Sequence, residues 1–145
     1  MIHKQLQLGR TLIPNRVTLQ PMEGCDCNPD GSPSELTVAK YRRAARSGAG
    51  TVWFEACAVC PEGRTNPRQM MLTPETLPAF KAMVEDMRRV AMEPCGITPV
   101  LILQLTPSGR QSITPMIAYR HPLYEARRPA GDEHIVTDEY LDTLP

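Results

Sequence analysis

Few residues of this chain could do chemistry, and their placement sorts them. Gln104 is the most informative. It interrupts the run Val100-Leu101-Ile102-Leu103-Gln104-Leu105, where burying an amide costs ~1–3 kcal/mol unless it is hydrogen-bonded. A ligand edge offering both a donor and an acceptor would satisfy it, and so would neighbouring loop backbone. Glu23 and Ala56 share its situation, since each closes a β-prone segment, at the end of a strand where a (β/α) barrel gathers its functional residues.

The cysteines form the second group. Cys25-Asp26-Cys27 and Cys57-Ala58-Val59-Cys60 could offer four thiolates to zinc or an iron–sulfur cluster if their loops met. A redox C-x-x-C usually opens a helix, whereas Pro61-Glu62-Gly63 continues a loop here, so reduced and metal-free thiols are expected. The total of five, with Cys95, is odd and accompanies no secretory signal, which argues against a disulfide framework. Arg64 and Arg68 flank Thr65-Asn66-Pro67; a guanidinium suits a nicotinamide or substrate phosphate, but solvated surface is the expected reading. His3, His121 and His134 are isolated and form no recognisable catalytic pattern with an acid or nucleophile.

The elements that must position these residues are short and punctuated by 15 prolines and 9 glycines. Residues 6–12 alternate around Gly9 and read as a β-hairpin. Residues 16–22 form a first strand and residues 25–33 an irregular loop. Ser34 caps a helix over 34–47, with Val38, Tyr41, Ala44 and Ala45 at helical spacing and Gly48 as its stop. A second strand covers 51–56, and a loop follows over 61–72. Thr73 or Thr76 caps a second helix whose apolar face is Leu77, Phe80, Val84, Met87 and Ala91, with Lys81, Glu85 and Arg88 opposite; Pro94 to Pro99 should end it. The third strand, 100–105, has the continuous apolar character of a parallel strand covered on both faces. Residues 106–136 are loop-like, and Thr137 caps a third helix with Asp138 and Glu139 in its first turn. Alternation of strand and helix at these lengths implies right-handed parallel βαβ units and an α/β fold.

Composition narrows the function classes. The chain has 145 residues, 41% of them hydrophobic, enough for one modest core. Its formal net charge is zero and the pairs Arg42-Arg43, Arg88-Arg89 and Arg127-Arg128 are scattered, so neither nucleic acid nor an anionic membrane is an expected partner. No run approaches the ~18 apolar residues of a membrane helix. A cytoplasmic protein acting on small molecules, or on a protein partner, is the expectation.

Four blocks in order complete the reading: Asn15-Arg16-Val17 through Gln20-Pro21-Met22-Glu23-Gly24; Tyr41-Arg42-Arg43-Ala44-Ala45 with Gly48-Ala49-Gly50; Phe54-Glu55-Ala56 with Val59 and Pro61-Glu62-Gly63-Arg64; and Gln104-Leu105-Thr106-Pro107-Ser108-Gly109-Arg110. Together they resemble the N-terminal portion of the Old Yellow Enzyme family of FMN-dependent NAD(P)H oxidoreductases. The resemblance implies a partial (β/α)8 TIM barrel, an N-terminal hairpin plus about three βα units. It implies that Pro21, Met22 and Glu23 lie against FMN with backbone groups facing its reactive edge, that Ala56 leaves room for the ring, and that Gln104 bonds the pyrimidine end. Asn15 and Arg16 would mark only the entry to the first strand. Pro107 departs from the family, which usually carries a histidine there.

The implied activity of the parent protein is hydride transfer from NAD(P)H through flavin to an activated alkene. The family's proton donor, its histidine or asparagine pair and its phosphate loops belong to later strands, so no catalytic residue is assigned. A barrel normally needs ~250 residues, so the chain alone is expected to be inactive, completed by a C-terminal portion or by oligomerisation. The competing readings are a non-catalytic fragment and a thiolate metal module.

Overall fold

The computed structural model describes residues 1–127, 129 and 131–144; Arg128 of the third basic pair and the thiol of Cys95 lie outside the described residues. The chain opens with the hairpin β1 (Leu6–Leu8) and β2 (Thr11–Ile13), antiparallel and turned at Gly9, whose φ of +56° is one that a glycine adopts without strain. There follow β3 (Thr18–Leu19), α1 (Glu35–Ala45), β4 (Thr51–Ala58), α2 (Leu77–Cys95) and β5 (Val100–Thr106). The last three strands make one parallel sheet in the order β3-β4-β5. Each new strand adds beside its predecessor with a helix between, as in the first part of a (β/α) barrel, and the described residues form no closed barrel. The α/β expectation holds.

Helix α1 begins where Ser34 accepts the amide of Thr37 while the Thr37 hydroxyl accepts the amide of Ser34, a reciprocal cap that satisfies two orphan donors. Gly48, with φ +78°, turns the chain back into β4. Asn15 is more than a marker of strand entry. Its amide donates to Gly48 O and its oxygen accepts from Gly50 N, both at 2.8 Å, stapling the start of β3 to the turn before β4. A Cβ on Gly50 would collide with the Asn15 backbone, so this position has room only for glycine.

Several boundaries differ from expectation. The first strand pairs only at Thr18 and Leu19, and the second runs on to Ala58, where Met70 and Leu72 of the following loop bond its backbone. Pro94 lies inside α2 and Gly96, at φ +63°, ends it. A proline in the last turn removes only one backbone bond, so the stop is left to the left-handed residue. The buried face of α2 is Phe80, Met83, Met87, Val90 and Ala91, rotated from the expected stripe, while Leu77 and Val84 open onto a groove shared with Leu101 and Leu103 of β5. Strand β5 is an edge strand, which is why Ile102, Leu103 and Leu105 are partly exposed rather than covered on both faces. Among the described residues, 106–136 hold two 3-10 turns and the four-residue α3 (Pro122–Glu125), and Thr137 caps α4 (Asp138–Leu141) as expected.

The core gathers between the sheet and the two long helices: Tyr41 stacks on Phe54 with ring centroids 4.4 Å apart, beside Cys27, Cys57, Met70, Met83, Met87 and Val90. The thioethers fit irregular gaps that branched side chains would leave. The basic pairs on α1 and α2 are exposed; Arg42 reaches Asp86 across the helices at 3.1 Å, Arg89 pairs with Asp86 and Glu93 of its own helix, and Arg46, just past α1, reaches Glu93 at 3.1 Å.

Candidate functional site

Strand β4 carries an irregularity that builds the site. Trp53 pairs with Ile102 and Ala56 with Gln104, so β4 takes three steps where β5 takes two. One extra residue in a strand breaks the alternation of side chains. Phe54 and Glu55 both turn to the helix side, Phe54 onto the Tyr41 ring and Glu55 onto the Tyr41 hydroxyl at 3.2 Å. Trp53 and Ala56 are left on the opposite face with Ile102 and Gln104. Among the described residues, neither α1 nor α2 lies on that face. Without the bulge, Glu55 would take the place of Ala56 there.

Gln104 and Ala56 therefore stand side by side near the C-terminal ends of their strands. Among the described residues nothing hydrogen-bonds the Gln104 amide, so the loop backbone does not satisfy it. Ala56 and Gln104 are both half-buried, and Ala56 puts only a methyl beside that amide. A flat ligand whose edge has both a donor and an acceptor matches this pair in shape and polarity.

The segment 21–24 leaves β3 at the same end of the sheet. Met22 is 77% exposed, Glu23 and Gly24 are exposed and Pro21 is half-buried. Its place is set by a residue that sequence reasoning passed over. Glu55, 1% exposed, accepts the amide of Gly24 at 2.6 Å on one carboxylate oxygen, and Lys40 Nζ at 2.6 Å with the Tyr41 hydroxyl on the other. Tyr41 in turn accepts the amide of Glu55 at 2.9 Å. Lys40 also reaches Asp26 at 3.1 Å, and Asp26 accepts the Thr37 hydroxyl at 2.8 Å. Burial pulls the Lys40 ammonium down, but its bonds and charge contacts with Glu55 and Asp26 outweigh that and hold it above the ordinary lysine value. Burial, with the Glu55 charge, pushes the Tyr41 phenol far above its usual range. The only sequence signal for this network was a carboxylate inside an otherwise apolar strand.

The two loops around the site are laced together. Arg64 is buried, and its guanidinium donates to the carbonyls of Pro29 at 2.8 Å, Pro67 at 2.5 Å and Gln69 at 2.8 Å. It is a clasp between loops, neither solvated surface nor an open phosphate site. Arg68 is exposed and donates to Asp26 O at 3.2 Å. Thr65 donates to Glu23 at 3.2 Å and Asn66 to the Cys25 sulfur at 3.1 Å, so the second loop also holds the first by its side chains. Gly63 packs against the backbone of Pro107, where a Cβ would approach to 2.9 Å. The proline thus forms part of the floor between the second and third loops.

The thiols are divided. Cys27 and Cys57 are wholly buried, Cys25 is exposed and Cys60 half-buried. Among the described residues no group of three or more metal-binding side chains gathers. Of the expected site residues, the sheet brings Ala56 and Gln104 together on one face, and the Glu55 tether holds 21–24 at the same end. None of the described helices is long and apolar enough to cross a membrane.

Solved structures carry this architecture. Morphinone reductase in complex with tetrahydroNAD is 28% identical, with a TM-score of 0.64 over 77% of this chain and 28% of that one. The Old Yellow Enzyme of Trypanosoma cruzi is 20% identical, with a TM-score of 0.70 over 98% of this chain and 44% of that one, and shows the fold. The homologue from Zymomonas mobilis, 21% identical at a TM-score of 0.62, covers 75% of this chain and 28% of that one and shows the same fold. The chain thus spans less than half the length of these enzymes. No curated protein sequence matches it. The family model for NADH:flavin oxidoreductases and NADH oxidases matches residues 2–120, and with the sheet order and strand ends described above it establishes that the chain belongs to that family.

Proposed function

We propose that residues 1–145 are the N-terminal portion of an FMN-binding barrel domain, and that the parent protein is an NAD(P)H oxidoreductase delivering hydride to an activated alkene. FMN is the cofactor of the family and NAD(P)H its electron donor. The observation that carries the reading is the pairing of Ala56 with an unpartnered Gln104 on the open face of the sheet. The fit to the isoalloxazine ring is good. Its pyrimidine edge alternates acceptors with a donor, which an amide complements in both senses, and a plane needs a small residue beside it.

When bound, FMN supplies the hydride chemistry between NAD(P)H and an electron-poor double bond. The residues of this chain bind and orient it. Gln104 holds the pyrimidine edge, Ala56 admits the plane, and Pro21, Met22 and Glu23 present backbone groups to its reactive edge. Arg64 keeps the loops that frame this edge in place. The phosphate-binding loops and the proton donor are supplied by the rest of the parent; that the chain spans 28% of morphinone reductase supports this division.

The test is to purify the parent protein and measure bound FMN by its visible absorption, then NAD(P)H oxidation with a conjugated enone. Stoichiometric FMN and enone-dependent turnover are expected. A protein that neither retains nor rebinds FMN would sink the proposal.

A further inference from the structure

We propose that Glu55 is a positioning residue that fixes which side of the Glu23–Gly24 peptide faces the ligand. The inference rests on the flavin reading above. No cis peptide bond occurs among the described residues, and in a planar trans peptide the N–H and C=O point in opposite directions. The Gly24 N–H is turned inward onto the buried Glu55 carboxylate at 2.6 Å. The Glu23 carbonyl is therefore turned outward, toward the open end of the sheet where Ala56 and Gln104 stand. That end is offered a fixed acceptor and denied the donor.

Three features lock the orientation. The bulge in β4 puts Glu55 under the loop rather than on the open face. Lys40 and the Tyr41 hydroxyl hold the other carboxylate oxygen, so the group is oriented as well as charged. A Cβ on Gly24 would meet Lys40 Nζ and the Asp26 carboxylate, so a larger residue here would have to push this ion pair aside. A fixed carbonyl facing the reactive edge favours a ligand that bears an N–H there, and a flavin bears one at N5 only when reduced. Glu55 thereby biases the reduction potential without touching the ring.

The experiment compares the intact protein with Glu55→Leu, Glu55→Gln and Tyr41→Phe, following amide hydrogen exchange at Gly24 without FMN, then FMN affinity and midpoint potential. Tyr41→Phe loosens the network and spares the Gly24 bond. Glu55→Leu should speed exchange at Gly24 by about tenfold or more and shift the potential to more negative values. Glu55→Gln retains an acceptor and should recover much of both; Tyr41→Phe, which keeps the carboxylate and its Lys40 partner, should shift the potential less than Glu55→Leu does. Unaltered Gly24 exchange in Glu55→Leu, or an equal potential shift in Tyr41→Phe, would overturn the proposal. If Gly24 exchange responds as described but the wild-type protein takes up no FMN, the tether stands and the flavin reading fails.

Discussion

Ala56 and Gln104 are cross-strand partners on the face of the sheet away from α1 and α2, and the irregularity between Trp53 and Ala56 is what places them in phase. A residue added or removed between these positions would swap the faces of everything that follows in β4.

A larger side chain at Ala56 should therefore act on the ligand more than on the fold. Ala56→Phe is expected to reduce FMN affinity by at least about tenfold, about 1.4 kcal/mol, with a change in denaturation midpoint typical of a surface substitution. Fluorescence titration and denaturant unfolding of the intact protein measure the two. Unchanged affinity would mean that the ring does not lie over this position.

Arg64 is expected to behave as a structural residue. Arg64→Ala strands the carbonyls of Pro29, Pro67 and Gln69; with bonds to a charged group contributing about 1.5–3 kcal/mol each and partial relaxation of the loops, a loss of roughly 3 kcal/mol follows. Equilibrium unfolding checks it. A variant of native stability whose only defect is a raised KM for NAD(P)H would restore the phosphate role.

The parallel strands and long helices were legible in the sequence because β-branched and aromatic residues fill Thr51–Phe54, because Val, Ile and Leu cluster in β5, and because Ser34 and Gly48 are strong local signals. It made Gln104 legible because an amide within Val100–Thr106 is a local anomaly. Glu55 and Arg64 were hidden for a different reason. Glu55 is satisfied by Gly24 and Lys40, distant in sequence, and Arg64 by Pro29 of the other loop together with Pro67 and Gln69 of its own; spacing along the chain carries no trace of the distant contacts. The face of α2 was ambiguous for another reason: Phe80, Met83, Met87 and Val90 keep helical spacing as well as Leu77, Phe80, Val84 and Met87 do, and periodicity alone does not choose between two overlapping stripes.

The buried thiols give stability a pH dependence. Burial raises Cys27 from 9.0 to about 11 and Cys57 from 9.0 to about 12. Both groups hold their protons longer in the folded state, so their contribution is intact below about pH 9 and is lost as pH rises toward 11 and 12. The denaturation midpoint of the intact protein should fall between pH 8 and 10.5, and fall less in the Cys27→Ala, Cys57→Ala double variant. At pH 8 a thiol reagent should label Cys25 rapidly and Cys27 and Cys57 only on unfolding. Labelling of Cys27 as fast as Cys25 would contradict its burial.

Residues 1–145 expressed by themselves should associate or remain loosely packed. The edge strand β5 exposes Leu103 and Leu105, and the open face exposes Trp53 and Ile102, a pattern that invites pairing with other chains. Size-exclusion chromatography and binding of a hydrophobic dye test this. A monomer with a cooperative unfolding transition and no dye binding would show that the open sheet is self-sufficient.

The central claim, that FMN lies on the open face with its pyrimidine edge on Gln104, is tested most directly by the FMN dissociation constant of the intact protein and its Gln104→Leu variant. Leucine keeps the volume and removes both halves of the amide. The dissociation constant should rise by about 0.5–1.5 kcal/mol of lost affinity, and by more if the ring atoms are left buried without partners, while the unfolding midpoint of the flavin-free protein stays within experimental error or rises. Identical FMN affinity in the two proteins would contradict the claim and move the flavin off this face.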